Sequence, residues 1–528
     1  MLFNSAQFLC FFPISIAIFY IVPQKYRYLW LLAASYYFYM QWNPVYVLLL
    51  LSSTLITYVG GLVLGKTVTE RKRKICLFIC LVINLAVLGY FKYANLFMGY
   101  LNKAIVIAGH EEIPWDNAII LPVGISFFTL QALGYLIDVY RKDIYAEHNF
   151  FRYALFISFF PQLVAGPIER SKNLLKQLAV PCRFSYENLR RGLMIMLYGF
   201  FLKVVIADRT AIFVDEVYNN ANAYPGFYIL VATVLFAIQI YCDFYGYSTI
   251  AKGTALTMGI ELMDNFNAPY FSKSIKEFWR RWHISLSTWF RDYLYIPLGG
   301  NRKGIVRKYV NLMIVFAVSG LWHGASLSFV IWGVLHGLYQ VLGGLFRSFY
   351  KKNSCRCAFL NKSDERFSTK LFQWALTIIL ICFAWLFFRA NSISSARLIL
   401  KQMLAERNWI ILFNQSLYEL GVSRDYFNIL LMALAVLFFV DYQKYRGRDV
   451  LAIFFQQGWW LRCLVEVILL MTIILFGCYG SIYDVQQFIY FQLCAQPRVC
   501  SQAGGNPVYL RFSQPDNSES WDDVGNGI

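Results

Sequence analysis

The sequence predicts an all-α, polytopic membrane protein, and three observations carry that prediction. Long apolar runs recur along the whole chain. Charge is scarce: 58% of the 528 residues are apolar and 15% charged, against about 25% charged in soluble domains. The basic residues that remain are concentrated in alternate loops between the runs. Aromatic residues reach 19%, as expected where rings pack between helices and at both lipid–water interfaces.

A crossing helix requires ~20 mostly apolar residues. On that rule twelve crossings are expected, at 3–22, 28–41, 45–65, 76–98, 119–140, 191–207, 226–247, 309–325, 328–346, 371–389, 428–441 and 461–480. The first apolar run has neither a basic segment before it nor a small-residue cleavage site after it, so it reads as an uncleaved first span. Two further stretches read as re-entrant or interfacial. One runs from Phe150 to Pro167 and is interrupted by Pro161; in the other, Phe278 to Leu298, tryptophans alternate with arginines.

With the N-terminus outside, the loops at 23–27, 66–75, 141–190, 248–308, 347–370 and 442–461 fall inside. Counted to the span ends they sum to roughly +25, and the outside segments to roughly −6, a strong positive-inside bias. Both termini are therefore expected outside. The net charge of +18 follows from these loops and forms no basic groove, so nucleic acid is not an expected partner; the lipid bilayer is. There is no Gly/Ser linker, no GxxxxGK[ST] phosphate loop and no inverted repeat. The tail after Gly480 leaves the apolar pattern, and its last residues are polar, acidic and expected to be flexible.

The twelve cysteines are scattered, with Cys76, Cys80, Cys242, Cys382 and Cys478 inside apolar runs, where cysteine acts as a small hydrophobe. Cys355 and Cys357 lack the further ligands of a zinc site, and no metal is expected. Cys494 and Cys500 can pair only if the tail faces an oxidising compartment.

Ionisable residues at membrane depth are costly and each requires a reason. The candidates are Lys92, Asp138, Lys203, Asp243, His323, His336, Arg389 and Glu466, whereas His110 and His148 lie in polar loops. His323 stands in Trp322-His323-Gly324, about 21 Å from the start of its span by helical rise and among Ser319, Gly320, Ala325 and Ser326. An imidazole there suits deprotonation of a hydroxyl, and equally a packing role in a helix bundle. His283, beside Trp279, Arg280, Arg281 and Trp282, reads as part of a cytoplasmic entrance gripping phosphate groups; composition alone favours an interfacial helix held by Arg and Trp. His336 reads as a packing histidine. Asp243 calls for a cation, Lys252 or Arg389, in a structural ion pair, with Arg389 alternatively capping its span. Lys92 and Lys203 lie near enough to span ends to snorkel.

Five ordered motifs, LPVGISFFTLQALGYLIDVYR (121–141), FFPQLVAGPIER (159–170), NFNAPYFSKSIKEFWRRWHISLSTWFRDYLYIPLGGNR (265–302), SGLWHGASLSFVIWGVLHG (319–337) and WLFFRA (385–390), resemble the bacterial membrane-bound O-acyltransferase (MBOAT) family. The resemblance is to its branch that O-acetylates alginate, peptidoglycan and other polysaccharides, and it extends to FIYFQL (488–493). It implies an acyltransferase domain over 1–493 and a tail at 494–528. The implied fold is a helical ring around a thinned centre. His323 would hold the catalytic position. His283 would act with it at the cytoplasmic mouth of a donor channel that includes Trp279, Arg280, Arg281, Trp282, Trp322 and Asn301. The acyl group would be acetyl from acetyl-CoA, a co-substrate rather than a bound cofactor. The acceptor would be a hydroxyl on an extracytoplasmic SGNH-like acyltransferase or on the polysaccharide, at a bacterial inner membrane. One departure is Thr249, where relatives carry Asp or Asn. D-alanyl transfer from a carrier protein to teichoic acid is the alternative within the family, and a transporter using Asp243, Arg389 and His323 the alternative outside it.

Overall fold

In lipid, backbone N–H and C=O groups find no water, so a spanning segment must bond internally. The computed structural model meets this with helices throughout: among the described residues every regular element is helical. The structure describes residues 1–115, 119–164, 166–180, 182–354 and 366–479, leaving aside the side chains of 349–354. Cys355, Cys357, Cys494, Cys500 and the FIYFQL stretch lie outside the described residues.

The helices run α1 (Ala6–Ile21), α2 (Arg27–Met40), α3 (Tyr46–Lys66), α4 (Glu70–Ile107), α5 (Ile125–Arg141), α6 (Phe150–Ser158), α7 (Phe160–Leu163), α8 (Ser171–Ala179), α9 (Tyr186–Phe200) and α10 (Asp208–Asn219). They continue with α11 (Phe227–Thr257), α12 (Ile275–Arg281), α13 (Ile284–Phe290), α14 (Gly304–His323), α15 (Leu327–Ser354), α16 (Phe367–Arg389), α17 (Ile393–Ala405), α18 (Arg424–Tyr445), α19 (Val450–Phe455) and α20 (Trp459–Phe476). Eight of them are long and apolar enough to cross a membrane: α3, α4, α11, α14, α15, α16, α18 and α20. These coincide with eight of the twelve expected crossings. Three of the other four fall on α1, α2 and α5, which have 16, 14 and 17 residues, short of a ~20-residue span; the fourth falls on α9, whose 15 residues run on without a break through a π turn into α10. α5 shows how a short helix is accommodated, since almost all of it is buried in protein and does not need a lipid-length surface.

The two stretches expected to lie partly buried are broken into short helices. Phe159 separates α6 from α7, and both are buried. α12 and α13 meet at a corner and lead into a π-helical turn, Arg291–Tyr295.

Glycine sets the closest helix approaches. α9 and α11 pack antiparallel, with Gly192 against Gly253 and Gly199 against Gly246. A Cβ built on Gly199 would stand 2.9 Å from the Gly246 carbonyl oxygen, and one on Gly253 would stand 2.5 Å from that of Gly192. The seven-residue spacing on each helix repeats the contact after two turns. α14 and α15 meet in the same way: a Cβ on Gly320 would lie 2.3 Å from the Phe329 carbonyl oxygen, and one on Gly333 2.3 Å from that of Phe316.

The buried charges differ from the sequence expectation. Lys203 does not snorkel. It lies in a π-helical turn (Phe201–Ala207) that joins α9 to α10 without a break. Its ammonium bonds Asp208 Oδ1 at 2.7 Å and Asp243 Oδ1 at 2.6 Å, with all three side chains buried. The wider π turn lets a lysine reach a carboxylate five residues on. Asp243 is therefore held by Lys203, while Lys252 pairs with Asp264 at 2.6 Å and Arg389 with Asp215 at 2.7 Å. The span expected to end at 207 continues because Asp208 is compensated inside the protein. Asp138 is also satisfied, accepting from Ser171 Oγ at 2.6 Å and from Tyr293 OH at 2.8 Å.

Replacing Gly199 with Leu drives a side chain into α11 and lowers unfolding stability by about 2 kcal/mol. Gly89→Ala, at a position where an added Cβ meets nothing within 4 Å, leaves it unchanged, as thermal unfolding in detergent will register. Lys203→Met strands two buried carboxylates and costs about 3–5 kcal/mol. Adding Asp208→Asn and Asp243→Asn to Lys203→Met restores most of that loss in the same assay.

Candidate active site

A helix that ends inside a protein leaves its last carbonyls without intrahelical partners. α14 ends at His323, and Gly324 turns into extended backbone (φ −167, ψ 162). α4 supplies the missing donors: Tyr93 OH donates to the Leu321 carbonyl at 2.5 Å, and the Lys92 ammonium donates to that of Trp322. A cation at a helix C-terminus also opposes the helix dipole. Lys92 is buried and lies 5.6 Å from the centre of the Trp322 ring. The snorkelling role expected for Lys92 is thus replaced by one that holds the end of α14.

His323 is buried in an aromatic cage. Its ring centre lies 4.9 Å from that of Trp322, 4.9 Å from Trp332 on α15 and 5.4 Å from Phe388 on α16, each nearly edge-on. Lys92, His283 and His336 are all close enough to bear on it electrostatically. Phe127 of α5 closes against the far side of Trp322 at 5.6 Å.

His283 is the second buried imidazole, and a turn places it there. It sits between α12 and α13 with φ 42 and ψ 55, in the left-handed region, a conformation costing about 1–2 kcal/mol for a residue with a Cβ. Backbone bonds from Ile284 N to Asn265 O (2.9 Å) and from Asn267 N to Arg281 O (3.0 Å) hold the turn. The ring lies 4.6 Å from Phe244 and 6.1 Å from Trp322. Its Nδ1 is buried and has no hydrogen-bond partner among the described residues. Position at a channel mouth was expected for His283. The structure sets it beside Trp322, itself one of the expected channel residues, because the corner folds the Trp-rich segment inward.

His336 joins the same cluster. Trp279 Nε1 donates to its Nδ1 at 3.2 Å, which in the neutral ring leaves the proton on Nε2. That Nε2 is buried without a partner among the described residues. Trp332 lies between His336 (5.1 Å) and His323 (4.9 Å). Three imidazoles and three indoles, Trp279, Trp322 and Trp332, thus form one buried group, of which sequence reasoning had joined only part. The thirteen-residue gap from His323 to His336 was the available signal, since the α14–α15 hairpin folds it back on itself.

The other expected channel residues divide. Trp279 and Trp282 are buried in the aromatic core, Trp282 at 5.3 Å from Phe278 and 5.0 Å from Trp385. Arg281 is engaged with Glu277 at 3.0 Å and with the Asn267 carbonyl at 3.1 Å. Arg280 is exposed. Asn301 is exposed on a loop tied to Asn311, whose Nδ2 donates to the Gly300 carbonyl at 3.1 Å; twelve residues of helix put that anchor about 18 Å from His323. Outside the spans, Lys276 has its amine held below its ordinary value by partial burial and by the nearby cations Arg280, Arg347 and Lys308. Among the described residues no three His, Cys, Asp or Glu side chains converge as a metal site requires.

A buried base in an apolar cage with a fixed cation beside it suits proton transfer and stabilisation of a developing oxyanion. The family model for membrane-bound O-acyltransferases matches residues 77–392. A probable alginate O-acetylase of Pseudomonas aeruginosa is 39% identical over 411 residues, 78% of this chain and 76% of that protein. A peptidoglycan O-acetyltransferase of Helicobacter pylori is 36% identical over 438 residues, 76% of this chain and 80% of that one. A teichoic acid D-alanyltransferase of Bacillus subtilis is 30% identical over 241 residues, 44% of this chain and 60% of that one. The chain, a multi-pass membrane protein, belongs to the membrane-bound O-acyltransferase family.

Proposed function

We propose that this acyltransferase takes acetyl from acetyl-CoA on the cytoplasmic side of a bacterial inner membrane. It delivers the acetyl group to a hydroxyl presented on the outer side, where both termini also lie. The acceptor is an SGNH-like acyltransferase partner or the polysaccharide itself, and the outcome is O-acetylation of a cell-envelope or exported polysaccharide. The observation that carries this reading is the buried His323, caged by Trp322, Trp332 and Phe388 with Lys92 and His283 beside it. The similarity to alginate and peptidoglycan O-acetylating proteins over three quarters of the chain supports the acetyl donor and polysaccharide class. The D-alanyl-transferring relative covers under half of it.

In this reading the acceptor oxygen attacks the thioester carbon while His323 removes the hydroxyl proton. Negative charge develops on the carbonyl oxygen and is stabilised by the Lys92 ammonium and the Trp322 side. Collapse of the intermediate breaks the C–S bond, and the imidazolium returns its proton to the departing CoA sulfur. His283, whose Nδ1 has no partner among the described residues, orients acceptor or donor within this cage. The cations Lys276, Arg280, Lys308 and Arg347 hold the donor's phosphates.

Purified protein in membranes, given radiolabelled acetyl-CoA and scored for CoA release, tests the assignment. His323→Ala lowers the rate about 10²–10⁴-fold at unchanged expression and unfolding temperature; a variant that keeps the wild-type rate removes His323 from the mechanism. Lys92→Met lowers kcat about 10²-fold with little change in KM. A rise in KM at constant kcat would instead make Lys92 a residue that only holds α14.

A further inference from the structure

A large space lies apart from the histidine cage. α9, α11, α18 and α20 enclose a slot of ≈ 1360 Å³. Along α9 and into the π turn that follows it, its lining runs from Asn188 to Phe201, about 20 Å by helical rise, against a hydrocarbon core of ~30 Å. The slot is open sideways between α18 and α20. Met432, Val436 and Ile468 line it and are 63%, 47% and 56% exposed, so its apolar wall is continuous with the surface that lipid covers. Deeper in, the Tyr198 hydroxyl is buried with no hydrogen-bond partner among the described residues.

The two ends of the slot differ. One end is apolar, at Phe201, Ile429 and Phe476. The other carries four bases, Arg191, Lys252, Lys444 and Arg448, together with the acids Glu261, Asp264 and Asp449. Part of this charge is already matched. Lys252 pairs with Asp264, Lys444 bonds Tyr245, and Asp449 caps α19 through the Ala452 N–H. Arg448 makes one side-chain bond, to Gln443, and Arg191 stands 3.7 Å from an exposed Glu187, a contact of little strength. Two guanidinium groups and the Glu261 carboxylate are therefore left facing the mouth of an apolar slot.

An apolar trough with one mouth carrying both signs of charge complements an amphipathic molecule whose polar end also carries both signs. We propose that the slot is a binding site for one glycerophospholipid with a phosphate–ammonium headgroup. Its tails lie between α18 and α20, its phosphate meets Arg191 and Arg448, and its amine meets Glu261. A guanidinium suits the phosphate because it presents a planar fork of donors. The slot also reaches Ile284, the residue after His283. The bound lipid thus backs the α12–α13 corner without entering the histidine cage, and the site is independent of which acyl group the enzyme transfers.

Native mass spectrometry of the full chain tests this after detergent exchange and re-addition of either phosphatidylethanolamine or phosphatidylglycerol. One phosphatidylethanolamine is expected to stay bound, at least fivefold in preference to phosphatidylglycerol. The pair Val436→Trp and Ile468→Trp, which fills the slot from exposed positions, lowers retention at least fivefold. Arg448→Glu does the same at the mouth, where no helix packing is disturbed. Leu431→Trp, on α18 and outside the slot lining, retains the lipid. Equal retention of both lipids, retention unchanged in the slot-filled and Arg448→Glu variants, or displacement of the lipid by acetyl-CoA would each overturn the proposal.

Discussion

α14 ends within the protein, and a helix that stops there must have its last carbonyls satisfied by something other than water. Lys92 and Tyr93, adjacent on α4, supply both donors, at Trp322 and Leu321. The rest of the site depends on that constraint. Because the chain breaks after His323, the imidazole stands at a helix end, and Gly324 lets the Phe329 ring pack where a Cβ would stand 2.1 Å from it. Because the break is stabilised by an ammonium rather than by a neutral donor, positive charge is fixed beside Trp322 and His323, which is where the proposed reaction needs it. One interaction thus serves the fold and prepares the chemistry.

The close approach of α14 and α15 has a comparable double consequence. Gly320 and Gly333 bring backbone against backbone, which narrows the hairpin enough for Trp332 to contact His323 and His336 together. A larger residue at either glycine would separate the two helices and open the cage to water. α9 and α11 use the same device, and their register sets Lys203 against Asp243. In lipid, where burial of apolar surface does not favour one helix neighbour over another, such close packing and buried polar contacts decide which helices meet.

Part of this was legible in the sequence. The helices α3, α4, α11, α14, α15, α16, α18 and α20 follow from apolar length, and His323 and His336 were identified as intramembrane ionisable groups that required an explanation. The partners were not legible. Asp243 was matched to Lys252, close in sequence, or to Arg389 from another helix, whereas the structure uses Lys203, forty residues away and across a glycine contact. Lys92 and Lys203 looked like snorkelling residues because the hydropathy window set each near a span end. The window does not register that α4 extends for 38 residues or that α9 continues through a π turn into α10.

By itself the sequence determined that this chain forms apolar helices, which loops carry its basic residues, and that Trp322-His323-Gly324 falls within an apolar run. Those are properties of composition and periodicity, set by the cost of exposing backbone and charge to lipid. The tertiary structure alone decided that His283 comes inward beside Trp322, that His336 joins His323 through Trp332, and that Arg389 takes Asp215 and leaves Asp243 to Lys203. These depend on side chains of distant helices meeting at particular rotations and heights, and periodicity along one helix does not specify its neighbour. The histidine segment singled out in the sequence is therefore a candidate site only because α4, α12, α15 and α16 converge on it.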